Sequence, residues 1–316
     1  MKKVLFATTA LVATAGMAAA DVTLSGSGRL GIVYNGANTA AAPGAGSSKT
    51  KVERRMTINI DGSGSTDGGL EFGGRIRLRS DEGDAAGGVS SSNVFVGNDT
   101  WRITVGNTDG ALLNRVGYYQ GSVGLTGLHW ANLSFNIGSN RFYLNSFSSR
   151  GNSGDVVRLD FNVGGFGVSL STDSSGDFAS NGSEDAIAVS YNFGDWTVAA
   201  GHAKDANGAG LDATSLSVVG SIGDFGVGLG YTDLKTVGAK VTVSGSYSFG
   251  DTTITGFVAN TDEDVAGSAG IPAVGGSDTE YGLGFTYSLG GATLAGGISR
   301  NFSEDTMADL GIRFGF

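Results

Sequence analysis

The sequence contains no cysteine, so no disulfide braces the fold and no thiolate can serve as nucleophile or metal ligand. Proline occurs twice, at Pro43 and Pro272, in Ala/Gly/Ser-rich connections where a missing N–H harms no sheet. Histidine also occurs only twice, at His129 and His202, leaving little material for a general base held by an orienting partner. Beyond the N-terminus no apolar run reaches the roughly 20 residues that a membrane helix needs. Basic residues are outnumbered 20 to 30, and the resulting net charge of −10 argues against a nucleic-acid partner.

What is present is a leader, abundant glycine and alternation. Lys2 and Lys3 precede an apolar-to-small run from Val4 to Gly16, and Ala18, Ala19 and Ala20 form an A-x-A site before Asp21. This pattern predicts a cleaved secretory signal peptide over 1–20 and export of a single domain over 21–316. Without Lys2 and Lys3 the net charge becomes about −12. Glycine supplies 56 of 316 residues.

The remainder reads as period-two segments separated by turn signals. The spans are 22–34, 51–61, 69–80, 93–97, 100–106, 156–163, 166–172, 186–193, 196–204, 213–222, 225–234, 238–249, 252–260, 279–289, 292–301 and 307–316. From residue 156 onward, Gly-Gly or Gly-Asp pairs link successive strands into hairpins, since glycine supplies the positive φ of a tight turn. The alternate connections are longer, variable and acidic. Short turns on one rim and long loops on the other, with an even strand count, predict an all-β transmembrane antiparallel β-barrel of sixteen strands.

Lipid exposure fixes the register. Leu70, Phe72, Ile76 and Leu78 share one face of a strand whose other face carries Arg75, Arg77 and Arg79. Turning it over would set three arginines against lipid at about 2–4 kcal/mol each near the midplane. The arginines therefore face the lumen, and parity places Arg29, Arg55, Arg102, Arg158 and Arg313 there too. Aromatics near the hairpin ends, among them Tyr191, Phe193, Tyr247, Phe249, Phe314 and Phe316, suit an interfacial girdle.

Residues 107–154 do not fit as a simple connection. A barrel of this size leaves an aqueous channel, and a long segment folded into it would narrow it. The competing reading is a further hairpin, because Leu133, Phe135 and Ile137 alternate ahead of a Gly138-Ser139-Asn140 turn, which would make eighteen strands.

Four stretches carry a resemblance to a known family: Leu24–Gly31, Gly69–Leu78, Val105–Asp109 and Ala308–Phe316. The chain resembles the general diffusion porins of Gram-negative outer membranes, nearest the alphaproteobacterial, Rhodobacter-type group. The resemblance implies a homotrimer passing small hydrophilic solutes, a third outer loop folded opposite an arginine cluster, and barrel assembly guided by the terminal strand with Phe314 and Phe316. It implies contact with outer-membrane lipid, lipopolysaccharide and the barrel-assembly machinery. Arg29, Arg55, Arg75, Arg77 and Arg79 match the basic wall of that family. The opposite side departs from it: 107–154 carries Asp109 as its only carboxylate against Arg115, Arg141 and Arg150. A cation-selective eyelet and a loop calcium site are thereby weakened, and the expected filter sets Arg29, Arg55, Arg75, Arg77, Arg79 and Arg102 against Asp109.

Other readings stay open at this level. The acidic groups Asp81, Glu82, Asp84 and Asp262, Glu263, Asp264 offer oxygen ligands to calcium, or simply solvated charge. A substrate-specific channel for a sugar or an anion would want aromatics in the lumen, for which Tyr118, Tyr119 and Trp130 are candidates. An enzyme is disfavoured by the histidine count.

Overall fold

In a computed structural model the described residues are 21–38, 48–84, 87–116, 123–130, 132–135, 144, 146–149, 156–173, 184–206, 211–235, 238–262 and 278–316. The leader 1–20, Pro43, Pro272, Tyr118, Tyr119, Arg141, Arg150, Glu263 and Asp264 lie outside them.

The strand segments are β1 (Asp21–Asn35), β2 (Thr50–Ser65), β3 (Glu71–Asp81), β4 (Gly88–Val89), β5 (Asn93–Gly97), β6 (Trp101–Gly106), β7 (Val156–Val163), β8 (Phe166–Asp173) and β9 (Asp185–Phe193). They continue as β10 (Trp196–Ala206), β11 (Leu211–Ile222), β12 (Phe225–Leu234), β13 (Gly238–Phe249), β14 (Thr252–Asp262), β15 (Thr279–Ser288), β16 (Ala292–Arg300) and β17 (Thr306–Gly315). Apart from β4 and β5, each pairs antiparallel with its chain neighbours, and β1 pairs with both β2 and β17, which closes the barrel. β4 and β5 both lie against β3, through Leu78↔Val89 and Arg75↔Asn93, and so share one position in a ring of sixteen.

The piece that the sequence pattern missed is β4. Ser90 to Ser92 interrupt the strand and switch its parity: Val89 and Val94 both point outward, 56% exposed each, although one is odd and the other even. Of the additional hairpin, Ile137 and the Gly138-Ser139-Asn140 turn lie outside the described residues, and its first arm is not a strand where it is described. Residues 132–135 make a turn inside the barrel, with Leu133 and Phe135 buried. No strand occurs among the described residues between Asn107 and Gly154, so the count is sixteen and not eighteen.

The hairpin turns carry the expected positive φ at Gly164, Gly194, Gly223, Gly250 and Gly290. Aromatics at this rim pack on the outer surface, Phe166 with Tyr191 at 4.3 Å and Phe225 with Tyr247 at 4.5 Å across neighbouring strands, and Phe314 with Phe316 at 6.4 Å along the terminal strand, all between centroids. Backbone bonds between Gly26 and Phe316 (2.7 and 3.0 Å) tie the terminal residue to β1.

The hydrophobic core lies within the barrel. One cluster joins Ala111, Leu112, Leu113, Val116, Phe135 and Leu144 of the long segment to Ala186, Ala188, Ala199 and Ala203 of the wall. A second joins Val123 and Leu128 to Phe257, Ala259 and Met307. The outer surface carries the large apolar side chains, as a bilayer solvent requires.

Candidate functional site

The long segment enters through a short helix, α1 (Ala111–Arg115), laid on β8, β9 and β10. It can lie so close because the inward positions there are small: a Cβ at Gly201 would overlap Leu112. The Ala111 N–H donates to Ser171 Oγ at 2.8 Å, and the Asn114 amide to Asp160 Oδ1 at 3.0 Å. Arg115 Nε donates to Ser169 Oγ at 2.7 Å. Burial pushes the Arg115 guanidinium down from its ordinary value, opposed by the neighbouring Asp160 carboxylate.

Residues 123–130 form a strap on the far side of the lumen. The Asp309 carboxylate of β17 accepts the N–H groups of Leu125 (2.8 Å) and Thr126 (2.7 Å) and the Thr126 hydroxyl (2.6 Å). Gly124 has φ +77° and sits where any Cβ would strike Asp309, so both its backbone and its size are dictated by this pin. Ser134 then meets Thr232 of β12, whose hydroxyl donates to it at 3.0 Å.

The return is tied to the entrance. Asn107 donates to the Ser148 carbonyl at 2.7 Å and accepts the Ser148 N–H at 2.8 Å. Asp109 accepts the Phe147 N–H at 2.7 Å. Asp109 forms no ion pair among the described residues and lines neither lumen cavity, but besides closing the loop its charge acts on Arg77 of the wall.

The arginines stand on β1, β2 and β3, with carboxylates on the same wall. Arg29 pairs with Glu53 (2.6 Å), Arg55 with Asp81, Arg79 with Asp81 (3.1 Å) and Arg75 with Asp61 (2.6 Å). Arg77 donates to Asn59 (2.8 Å) and Ser149 (3.2 Å) and lies 4.5 Å from the Phe147 ring centroid. Among the described residues neither Arg77 nor Arg313 forms a salt bridge, although the Asp61 and Asp109 carboxylates act on Arg77 from longer range. Arg313, Arg29 and Arg55 are direct cross-strand neighbours on β17, β1 and β2. Like charges directly opposite are destabilising in a sheet, so this row is kept against a stability cost.

The structure thus gathers Arg29, Arg55, Arg77 and Arg79 with Arg313 around one lumen cavity of about 630 Å³, faced by Leu125, Thr126 and Trp130 of the strap. Arg75 and Arg102 belong to a second cavity of about 650 Å³ with Arg115 and Arg158, where Asp61, Glu71, Asp99 and Asp160 balance the charge. Sequence reasoning missed Asp309, Glu53 and Asp81 as partners, and the small-residue wall. Inward Ser, Gly, Ala and Thr at alternate positions of β8–β16 were the available signal for that wall.

The acidic groups are engaged locally. Asp84 accepts the Asp81 N–H at 2.7 Å, and Glu82 lies 3.7 Å from Arg54. No group of three or more His, Asp or Glu side chains able to hold a metal occurs among the described residues.

Residues 7–306 match the family described as Gram-negative porin. The chain is 28% identical to the porin of Fuscovulum blasticum over 312 residues, covering 94% of this chain and all of that one. It is 28% identical to the porin of Rhodobacter capsulatus over 331 residues, with the same coverage. Its fold matches an engineered triple mutant of Rhodopseudomonas blastica porin with a TM-score of 0.78 at 26% identity, covering 94% of this chain and all of that chain. With the closed barrel and its arginine-lined lumen, these similarities establish that the chain belongs to the Gram-negative porin family and forms an outer-membrane channel for passive diffusion.

Proposed function

We propose that the channel is a size-limited diffusion pore whose constriction favours small anions. The strap and the β1–β3 wall bound the narrow part, with 107–154 acting as the constricting loop. One observation carries the reading: five arginines line the cavity between the strap and the β1–β3 wall and no carboxylate does. Glu53 and Asp81 neutralise part of that charge at contact distance, Asp61 and Asp109 reach Arg77 only from longer range, and Arg77 and Arg313 carry the excess without a salt bridge. Rings of charge tune selectivity in pores, so the sign follows from this excess and not from the acidic whole chain.

The test is the reversal potential of purified channels in a planar bilayer under a potassium chloride gradient. Chloride preference is expected; a strong potassium preference contradicts the reading. Liposome swelling checks the diffusion part, with flux declining smoothly with solute size, whereas saturable flux of one neutral sugar would favour a substrate-specific channel.

In the same reading the leader 1–20 is cleaved on export, the functional unit is a homotrimer, and Phe314 and Phe316 serve recognition by the barrel-assembly machinery. The exposed apolar belt meets lipid, and lipopolysaccharide meets the acidic loops. The protein works without a cofactor or calcium and as a conduit rather than an enzyme. His202 supports the last point: it is exposed on the outward face, with Nδ1 2.9 Å from Thr214 Oγ1.

A further inference from the structure

A hydrophilic pore has no general need of an indole in its constriction, yet Trp130 lines the arginine cavity and is 36% exposed. Its backbone lies in the left-handed region at φ +54°, and Leu128, two residues earlier, lies there at +43°. Non-glycine residues held so cost about 1–3 kcal/mol each and persist only where the surroundings over-determine them. Here they do: Leu128 is buried in the cluster with Met307 and Phe257, and Asp309 fixes the strap at Leu125 and Thr126. The Trp130 N–H donates to the Gly127 carbonyl at 2.7 Å, and the Trp130 carbonyl accepts the Leu133 N–H at 3.0 Å. A large ring is therefore presented to the lumen from a backbone that is both strained and locked.

The cavity between the strap and the wall joins two chemistries. Arg29, Arg55, Arg77, Arg79 and Arg313 offer guanidinium donors, and Leu125 and Trp130 offer an apolar and a π face. Guanidinium forks match carboxylate geometry, and an indole face matches an aromatic ring. Its volume of about 630 Å³ lies within the usual range of small-molecule sites. We infer that the constriction holds a transient binding station for aromatic carboxylates, with the carboxylate on the arginine wall and the ring against Trp130. This rests on the anion-favouring reading of the pore and adds to it a preference that charge alone does not give.

The experiment uses the full-length purified channel in planar bilayers and reads the concentration of added solute that half-blocks the current. Three probes separate the contributions: benzoate, cyclohexanecarboxylate (same charge and similar bulk, no π face) and benzylammonium (same ring, opposite charge). Benzoate is expected to block about three- to tenfold more tightly than cyclohexanecarboxylate, the range given by aromatic pairing. Benzylammonium should block least. Trp130→Leu should erase the difference between the two carboxylates, and Trp130→Phe, which keeps a ring in the strap, should retain most of it. Equal block by both carboxylates in the wild type overturns the inference, as does discrimination that survives Trp130→Leu. If instead the wild type shows no anion preference, with benzylammonium the strongest blocker, the underlying reading of the pore fails as well. The two failures are thus distinguishable.

Discussion

Strands β1–β3 and strands β8–β16 obey the same alternation, with apolar side chains toward lipid, but their inward faces carry opposite kinds of residue. The first group projects Arg29, Glu53, Arg55, Asn59, Arg75, Arg77 and Arg79 into the lumen. The second projects Ser169, Ala188, Ala199, Gly201, Ser215, Ser217, Gly230, Thr242, Ser244, Ala259 and Gly297. The charged wall cannot be covered by apolar chain without stranding guanidinium groups, and it stays open. The small wall leaves room for a second layer, and the long segment fills it with leucines, valines and Phe135. Parity thus decides which face is wet, and side-chain size decides which part of the wet face becomes core.

The comparison can be broken most severely at Lys240, which lies on the covered side yet carries a charge. It is fully buried, 3.0 Å from Glu280 Oε1 and 5.2 Å from the Phe302 ring centroid. Removing one partner of such a pair leaves an uncompensated buried charge, at about 3–5 kcal/mol, whereas replacing both by apolar residues is often neutral. Lys240→Met should markedly lower the temperature at which the folded barrel denatures in detergent, and Lys240→Met with Glu280→Leu should recover most of the loss.

The next effect concerns the pin. Asp309→Ala removes three hydrogen bonds at a charged acceptor and leaves the buried Leu125 N–H without its partner, at about 1.5–3 kcal/mol per such bond before relaxation. The strap 123–130 should detach from β17, raising single-channel conductance and the noise of the open state. A channel of unchanged conductance would mean that the strap is held by the Leu128 and Val123 contacts alone.

The smallest effect is expected on the open wall. Arg75 and Asp61 are both partly exposed, and pairs of this kind contribute at most about 1 kcal/mol. Arg75→Gln should leave denaturation nearly unchanged and shift the reversal potential slightly, less than Arg313→Gln does.

Much of the fold was legible because lipid is an exacting solvent: three arginines on alternate positions of β3 admit one orientation only, and the Gly-Gly and Gly-Asp turns fix register strand by strand. β4 was not legible, because a serine-rich interruption that switches parity erases the alternation from which strands are read. The arginine wall was legible as a face but not as a set of pairs, since the register that sets Arg55 against Asp81 and Arg29 beside Arg55 comes only with strand pairing. Asp109 was read as a filter group because it is the only carboxylate of its segment; its bond to the Phe147 N–H depends on the loop returning to its own start. Asp309 was hidden for the opposite reason, as a polar residue in the lumen parity of an evidently membrane-spanning strand, with a partner 184 residues away in sequence.

The division between an open charged wall and a covered small one can be measured most directly with cysteine, because the chain has none of its own. Asn59→Cys stands on the arginine wall and lines the cavity beside the strap; Ser217→Cys stands on the covered wall at 5% exposure. A membrane-impermeant, charged thiol reagent added to single channels should react rapidly at position 59 and change the current, and should leave position 217 unmodified. Equal rates at the two positions, with the same effect on conductance, would contradict the account.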